Sequence, residues 1–219
     1  MKTRSVPNNP EVRDTLFGDL PFSRWATVFQ NATPSEPWAS FCRAKQSLDS
    51  GDKQSAKQVL LGILEMPELE SRHYLQAWHF LRELGVSPPS KKEKDLLGVV
   101  LEVGMEKGLD LVAAYADHHA RYYNYSGAGV VWERPDNSLD PVIDHLLRVG
   151  SATMQAIGPW KGNRPSAPPV GHARINLLSP VGLNFGQGPL DAMTKDRLGG
   201  PVITASFRLM QELIKLTKK

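Results

Sequence analysis

Four extended runs with very short connections, between residues 96 and 133, constrain the fold of this chain more than any other feature. The runs are LLGVVLEVGM, LDLVAAYAD, HARYYNYSG and GVVWE, and they are rich in β-branched and aromatic residues. Short turns connect antiparallel strands, because parallel strands need a crossover of about a dozen residues or more. The sequence therefore predicts an antiparallel meander of four strands.

The segment after the meander adds a helix, a second hairpin and a final helix. Residues 140–157 have helical periodicity, and the apolar-rich pattern of residues 201–219 predicts a helix that is packed on more than one side. Between them, HARINLLSPVGLNFG at residues 172–186 predicts a hairpin. This order predicts an α+β fold, in which a mostly antiparallel sheet of about six strands, a four-strand meander plus a hairpin, has helices packed on one face.

The N-terminal part of the chain is helical by pattern and differs in period from the strand-rich region after it. Residues 1–37 are rich in Pro and Asn and are expected to form an extended arm, with one short helix at 22–30. Residues 38–86 show three stretches of helical periodicity separated by breakers, which predicts a helical subdomain. The α+β domain is then expected to cover residues 96–219.

The first two of these helical stretches place small residues where two antiparallel helices would cross. Ala44 lies on the first stretch, Gly51-Asp52 breaks it, and Ala56 and Leu60 follow on the second. This spacing resembles the helical hairpin of the tetratricopeptide repeat. The resemblance implies a TPR-like helical hairpin within the N-terminal subdomain.

Two segments of the α+β region resemble each other in sequence. HARYYNYSGAGVVW at residues 119–132 and HARINLLSPVGLNF at residues 172–185 share His-Ala-Arg and then a Ser, a Gly and an aromatic residue at matching positions. The flanking sequences do not match at the same offset, and Ser and Gly are residues that hairpin turns select in any case. Two hairpins built under the same turn rules are therefore favoured over a duplicated element.

Strand alternation predicts where the polar side chains of these two segments point. Ile175 and Leu177 share one face of their strand and are expected in the core, so Arg174 is expected on the opposite, open face. By analogy Arg121 is also expected to face outward. The predicted binding surface consists of His119, Arg121, Tyr123, Tyr125, Trp132, His172, Arg174 and Asn176.

Such a surface could be a solvated face with local ion pairs, or it could have one of three functions. Tyr, Trp and Arg anchor protein interfaces, so the favoured prediction is a non-enzymatic interaction or adaptor protein that binds another protein through the exposed sheet face and the helical hairpin. Nucleic acid is the third possibility, and a net charge of only +3 makes it unlikely.

The second possibility is a small enzyme or ligand-binding protein with a His/Arg anion site under the 160–171 loop, which is long and polar enough to act as a lid. In its catalytic form, His119 or His172 would be the general base, and Asp117 or Glu133 would orient it. The guanidinium groups of Arg121 and Arg174 would hold the anion.

The favoured prediction includes no catalytic residues, no metal site and no cofactor. The single cysteine, Cys42, excludes an intrachain disulfide and a cysteine-based zinc site, and no HExxH spacing is present. No apolar run approaches the ~18 residues that would span a bilayer, and the N-terminal residues lack the apolar stretch of a secretory signal. These features together predict a soluble cytoplasmic protein with no membrane partner.

Overall fold

The computed structural model describes residues 10–23 and 34–217, and the fold is α+β as the sequence predicts. Within these residues it contains seven helices and one six-stranded sheet. The helices are α1 (Pro10–Phe17), α2 (Trp38–Asp49), α3 (Lys53–Leu64), α4 (Ser71–Glu83), α5 (Asp140–Ala156), α6 (Leu190–Met193) and α7 (Gly199–Leu216). The strands are β1 (Gly98–Met105), β2 (Gly108–Tyr115), β3 (Ala120–Tyr123), β4 (Gly129–Trp132), β5 (His172–Ser179) and β6 (Gly182–Pro189).

The sheet is antiparallel throughout and has the strand order β4-β3-β2-β1-β5-β6. The meander therefore supplies four adjacent strands, and the hairpin β5–β6 joins it at β1. Along the β1–β5 pair Glu102 lies opposite Arg174 and Val100 lies opposite Asn176. This arrangement confirms the predicted meander plus hairpin.

Both faces of the sheet are covered by helices. On one face, Val99, Leu101 and Ile175 belong to a hydrophobic cluster that includes residues of α5 and α7. On the other face, Val100 and Leu178 pack with residues of α1 and α4. The residues of β1 are consequently buried from Gly98 to Gly104, as expected for an almost continuously apolar strand.

The N-terminal helices α2, α3 and α4 share a hydrophobic cluster of their own. The turn between α2 and α3 uses Gly51, whose φ of 84° is left-handed, and then Asp52, whose carboxylate accepts a hydrogen bond from the Ser55 amide at 2.9 Å. Ala44 and Ala56 are fully buried, as expected where two helices approach closely. The helical hairpin is present, and its relation to tetratricopeptide repeats stays a prediction.

Helix α1 lies in the segment that the sequence predicts as an extended arm, and it packs tightly against α4. Gly18 ends α1 with a φ of 59°, and a Cβ atom there would lie 2.8 Å from the carbonyl oxygen of Arg72. The Gln76 amide then holds the chain, because it donates to the Leu20 carbonyl at 2.9 Å and accepts from the Leu20 amide at 3.0 Å. The short helix predicted at 22–30 lies mostly outside the described residues.

The final helix, α7, packs on the sheet and on α5. Its buried residues include Val202, Ile203, Leu209 and Leu213, which spread over a wide arc as the sequence predicts. In residues 10–23 and 34–217, no helix is both long and apolar enough to cross a lipid bilayer.

Candidate functional site

The polar sheet face that the sequence predicts to be open is covered by α1 and α4. Arg121 and Arg174 do point away from Ile175 and Leu177, but they are only 4% and 3% exposed. The expectation of an exposed face is wrong because it assumed helices on one side of the sheet only. In the structure, the N-terminal helices bury the second side.

The two His-Ala-Arg segments also lie in different parts of the sheet. Arg121 is on β3 and Arg174 is on β5, and β2 and β1 lie between those strands. Neighbouring strands are about 4.8 Å apart, so about 14 Å separates β3 from β5. The two arginines share a face but not a site. Their partners differ: Arg121 donates to the Trp132 carbonyl at 2.8 Å, whereas Arg174 donates to Glu102 at 3.3 Å.

The remaining members of the predicted surface are dispersed. Trp132 is buried in the cluster with α5 and α7, on the opposite face from Arg121. Asn176 is fully buried, and Tyr123 is half-buried beside the α1–α4 cluster. Tyr125 is exposed in a turn, and His172 is half-buried with its Nδ1 3.2 Å from the Val170 carbonyl oxygen. These residues do not form one continuous surface.

Glu102 is the centre of a buried ionic network on the covered face. Its carboxylate is fully buried and accepts hydrogen bonds from Arg13 at 2.6 Å and from Arg174 at 3.3 Å. Asn176 donates to the same carboxylate at 3.2 Å. Arg13 and Arg174 each also donate to the Pro165 carbonyl at 3.2 Å. Glu102 thus connects α1, the central strands and the loop that follows α5.

The pair Asp117–His119 is one part of the predicted catalytic arrangement that the structure does bring together. His119 Nδ1 lies 3.2 Å from Asp117 Oδ2. The Asp117 contact raises the pKa of His119. Burial opposes ionisation of Asp117, but hydrogen bonds from His119 and from the Ser71 amide outweigh it and lower the pKa of Asp117 to about 2. This pair joins the start of α4 to the sheet.

A cleft that could receive a ligand lies beneath residues 159–166. Its volume is about 1030 Å³, which is large enough for a small organic molecule. Helix α1 and the residues after it form one wall, the end of α4 forms another, and the β5–β6 turn forms the floor. Its charged and aromatic lining includes Arg13, Asp19, His79, Arg82, Glu83 and Trp160.

The loop over the cleft is held at several points. The Trp160 amide donates to the Leu183 carbonyl at 2.7 Å, and the indole ring packs edge-on against Phe185 at 5.3 Å between ring centroids. Arg164 forms ion pairs with Asp14 and Asp19 of the N-terminal segment. The roof of the cleft is therefore fixed to both the sheet and the arm, and the partly exposed Trp160 lines the cleft.

Arg82, at the end of α4, is one of the cations that line the cleft. Its Nη1 donates to the Pro180 carbonyl at 2.6 Å, and its guanidinium lies close to Gly182, 3.7 Å from the position a Cβ would take there. Within the described residues no carboxylate oxygen lies within 4.0 Å of it. Burial lowers the pKa of Arg82, as expected for a desolvated cation. The guanidinium is therefore held in place, and its positive charge is only partly compensated by neighbouring groups.

His79 and Glu83 lie one helical turn apart on the same face of α4, beside Arg82. His79 Nε2 is 3.3 Å from Glu83 Oε1. Burial, and after it the charges of Arg82 and Arg164, lower the pKa of His79 to about 4, so this imidazole is neutral at pH 7. Burial also raises the pKa of Glu83. Glu83 consequently faces the cleft without a charged partner at 4.0 Å or less in the described part of the chain.

The low pKa of His79 predicts a loss of stability in mild acid. The folded pKa of about 4 lies below the ordinary value of 6.5, so the unfolded chain binds the proton more tightly. The contribution of His79 is complete above pH 6.5 and is lost as the pH falls toward 4, at no more than about 1.4 kcal/mol per pH unit. We expect His79→Gln to remove this part of the pH dependence.

The measurement for this prediction is urea unfolding of wild type and His79→Gln between pH 4 and 7. The difference in free energy of unfolding between the two proteins should depend on pH. The exposed, neutral Gln155 supplies a control, because Gln155→Ala should give a curve parallel to wild type. A parallel curve for His79→Gln would contradict the prediction.

Sequence reasoning missed most residues of the cleft, although it identified the loop above it. The sequence predicts the 160–171 loop as a lid over a His/Arg anion site. The basic residues that line the cleft are Arg13, Arg82, Lys161 and Arg164, however, and not Arg121 or Arg174. No periodicity indicates that the end of α4, α1 and the β5–β6 turn converge. In the described residues no cluster of His, Cys, Asp or Glu could hold a metal ion.

Comparison with known proteins gives no further information on the cleft. No protein-family model, no curated protein and no solved structure matches this chain.

Proposed function

We propose that this protein binds a small ligand with an anionic group in the cleft beneath residues 159–166. The observation that carries the proposal is Arg82. Its guanidinium is largely removed from water, fixed by the Pro180 carbonyl, and not paired with a carboxylate within 4.0 Å in the described residues. Asp19 and Glu83 attract this cation only from beyond ion-pair distance, so its desolvation is incompletely compensated. A ligand carboxylate or phosphate would compensate it with charge-assisted hydrogen bonds.

Two further residues fit a ligand of this kind. Lys161 is exposed on the loop at the same cleft, where it would attract an anion. Trp160 has a side chain that is 48% exposed, and its indole nitrogen donates to the Asn163 carbonyl at 2.9 Å. An indole ring held in this way offers an apolar surface for the rest of the ligand.

The proposal develops the predicted anion site under the 160–171 loop, with a different set of residues. Binding to another protein and binding to nucleic acid stay predictions, since nothing in the described residues favours either. The sheet face that was expected to carry a protein partner is buried. A cytoplasmic location also stays a prediction, which depends on the single Cys42 and on the absence of apolar runs in the sequence.

The proposal is tested by titrating the protein with 3-phenylpropanoate, which combines a carboxylate with an aromatic ring, and following the Trp160 indole N–H by NMR. A Trp160→Phe variant assigns the signal. We expect saturable binding that Arg82→Gln weakens by at least about 10-fold, because hydrogen bonds to charged groups contribute about 1.5–3 kcal/mol.

Arg208 supplies the matched control for this experiment. It is exposed on α7, on the other side of the sheet, so Arg208→Gln removes the same charge away from the cleft. It should leave the affinity unchanged. Equal affinities for wild type and a folded Arg82→Gln variant would contradict the proposed site, and so would the absence of saturable binding.

A further inference from the structure

Among the described residues, the cleft contains charges of both signs that attract each other at longer range but form no direct ion pair. Arg82 and Glu83 are consecutive at the end of α4, both line the cleft, and no oxygen of Glu83 lies within 4.0 Å of a nitrogen of Arg82. The only neighbour of Glu83 at ion-pair distance in the described residues is His79, at 3.3 Å. An uncharged imidazole does not neutralise that carboxylate.

We infer that the ligand is a zwitterion of the α-amino-acid class, whose carboxylate binds Arg82 and whose ammonium group binds Glu83. This inference rests on the proposed function. A zwitterion carries its two charges a few bonds apart. It can therefore contact Arg82 and Glu83 at the same time, although these two side chains do not contact each other. Each ligand charge then meets an opposite protein charge, which is the condition for placing charges in a partly desolvated site.

Burial sets the orientation of this ligand. Arg82 is largely buried, whereas the Glu83 side chain is 47% exposed. The carboxylate of the ligand therefore lies inside and its ammonium group lies toward solvent. Trp160, exposed at the same cleft, contacts the side chain of the ligand, which favours amino acids with aromatic or large apolar side chains.

The charges of the lining disfavour a polyanion. Asp14, Asp19 and Glu83 all line the cleft, and Arg164 is already paired with the first two. Arg13 is paired with the buried Glu102. A nucleoside triphosphate would bring several negative charges to a site with three carboxylates and few free cations, whereas a zwitterion adds no net charge.

Three ligands with one phenyl ring test the inference by isothermal titration calorimetry: L-phenylalanine, 3-phenylpropanoate without the ammonium group, and 2-phenylethylamine without the carboxylate. We expect L-phenylalanine to bind at least 10-fold more tightly than either of the others. Glu83→Gln should weaken binding of L-phenylalanine and leave 3-phenylpropanoate unaffected. Glu65→Gln, which removes an exposed carboxylate just after α3, should change neither affinity.

The outcomes separate this inference from the proposed function. Arg82-dependent binding of 3-phenylpropanoate that equals or exceeds the affinity for L-phenylalanine overturns the zwitterion and leaves the anion site standing. Loss of L-phenylalanine binding in Glu83→Gln and in Arg82→Gln, with both variants folded by circular dichroism, supports the inference. No heat of binding for any of the three ligands, with no NMR shift, overturns both.

Discussion

Glu102→Gln is expected to lower the free energy of unfolding by about 3–5 kcal/mol, since the substitution removes one partner from buried ion pairs. The wild-type carboxylate is fully buried and accepts from both Arg13 and Arg174. The glutamine amide keeps the volume but carries no charge, so two guanidinium groups remain largely buried without their counter-ion. Attraction between opposite charges would be replaced by repulsion between like charges.

Urea unfolding at pH 7 measures this effect, with Glu106→Gln as the control. Glu106 is exposed in the turn between β1 and β2, so its substitution should change stability by less than about 0.5 kcal/mol. A loss below about 1 kcal/mol for Glu102→Gln would show that Arg13 and Arg174 do not depend on this carboxylate. Both arginines also hold the Pro165 carbonyl, so the variant should bind 3-phenylpropanoate more weakly as well.

Gly104→Ala is expected to destabilise the protein by up to about 3 kcal/mol, at the upper end of the range for overpacking. A Cβ atom at this position would lie 2.1 Å from the Pro169 carbonyl oxygen and 2.7 Å from that of Pro168. Both contacts are with backbone, which cannot rotate away as a side chain can. The loop must therefore move off β1, and its hydrogen bond from the Gly171 amide to the Gly104 carbonyl, 2.9 Å, is lost.

The matched control is Gly158→Ala, because a Cβ atom at Gly158 would meet nothing within 4 Å. Thermal unfolding should show a lower melting temperature for Gly104→Ala and almost no change for Gly158→Ala. Limited proteolysis adds a local measure: cleavage within residues 159–171 should be faster in Gly104→Ala. Equal melting temperatures and equal cleavage rates would contradict the close approach of the loop to β1.

The cleft and the stability of the fold depend on the same contacts. Glu102 connects through Arg13 and Arg174 to the Pro165 carbonyl, and the Pro165 carbonyl belongs to the loop that covers the cleft. Ligand binding and folding should therefore be linked, so that a ligand of the native cleft raises the melting temperature. Residues that only support the loop will weaken binding without contact to the ligand, whereas Arg82 and Glu83 are proposed to contact it.

The sequence by itself determined the order and type of most elements. The short connections of the meander permit only antiparallel pairing. The segments that form α5 and α7 keep the 3.6-residue hydrophobic period over enough residues to identify them as helices. Helix α1 was missed because eight residues in a Pro- and Asn-rich segment carry little periodicity. Its folding depends on packing against α4, where Gly18 and Gln76 make the contacts.

The sequence also contains a sign that both sheet faces are covered. The run from Val99 to Val103 is apolar except for Glu102, and this pattern is typical of a strand buried on two sides. Alternation within β5, where Arg174 and Asn176 interrupt the apolar residues, instead indicated that one face of the sheet is open to solvent. A polar side chain on a strand points away from the apolar face both when it contacts water and when it contacts a buried carboxylate. Alternation therefore predicts the face on which the side chain lies but not whether it is exposed.

Only the tertiary structure decided which charged residues meet. Arg174 on β5 contacts Glu102 on the neighbouring strand β1 and Gln187 on the other neighbour, β6. Arg164 pairs with Asp14, which lies about 150 positions earlier in the chain. Such contacts depend on strand register and on how the N-terminal arm packs against the rest of the protein. Neither can be predicted from local sequence. For the same reason the sequence indicated the long polar loop at 160–171 but not the cleft beneath it. Residues of α1, α4, the β5–β6 turn and the 159–166 loop all line that cleft.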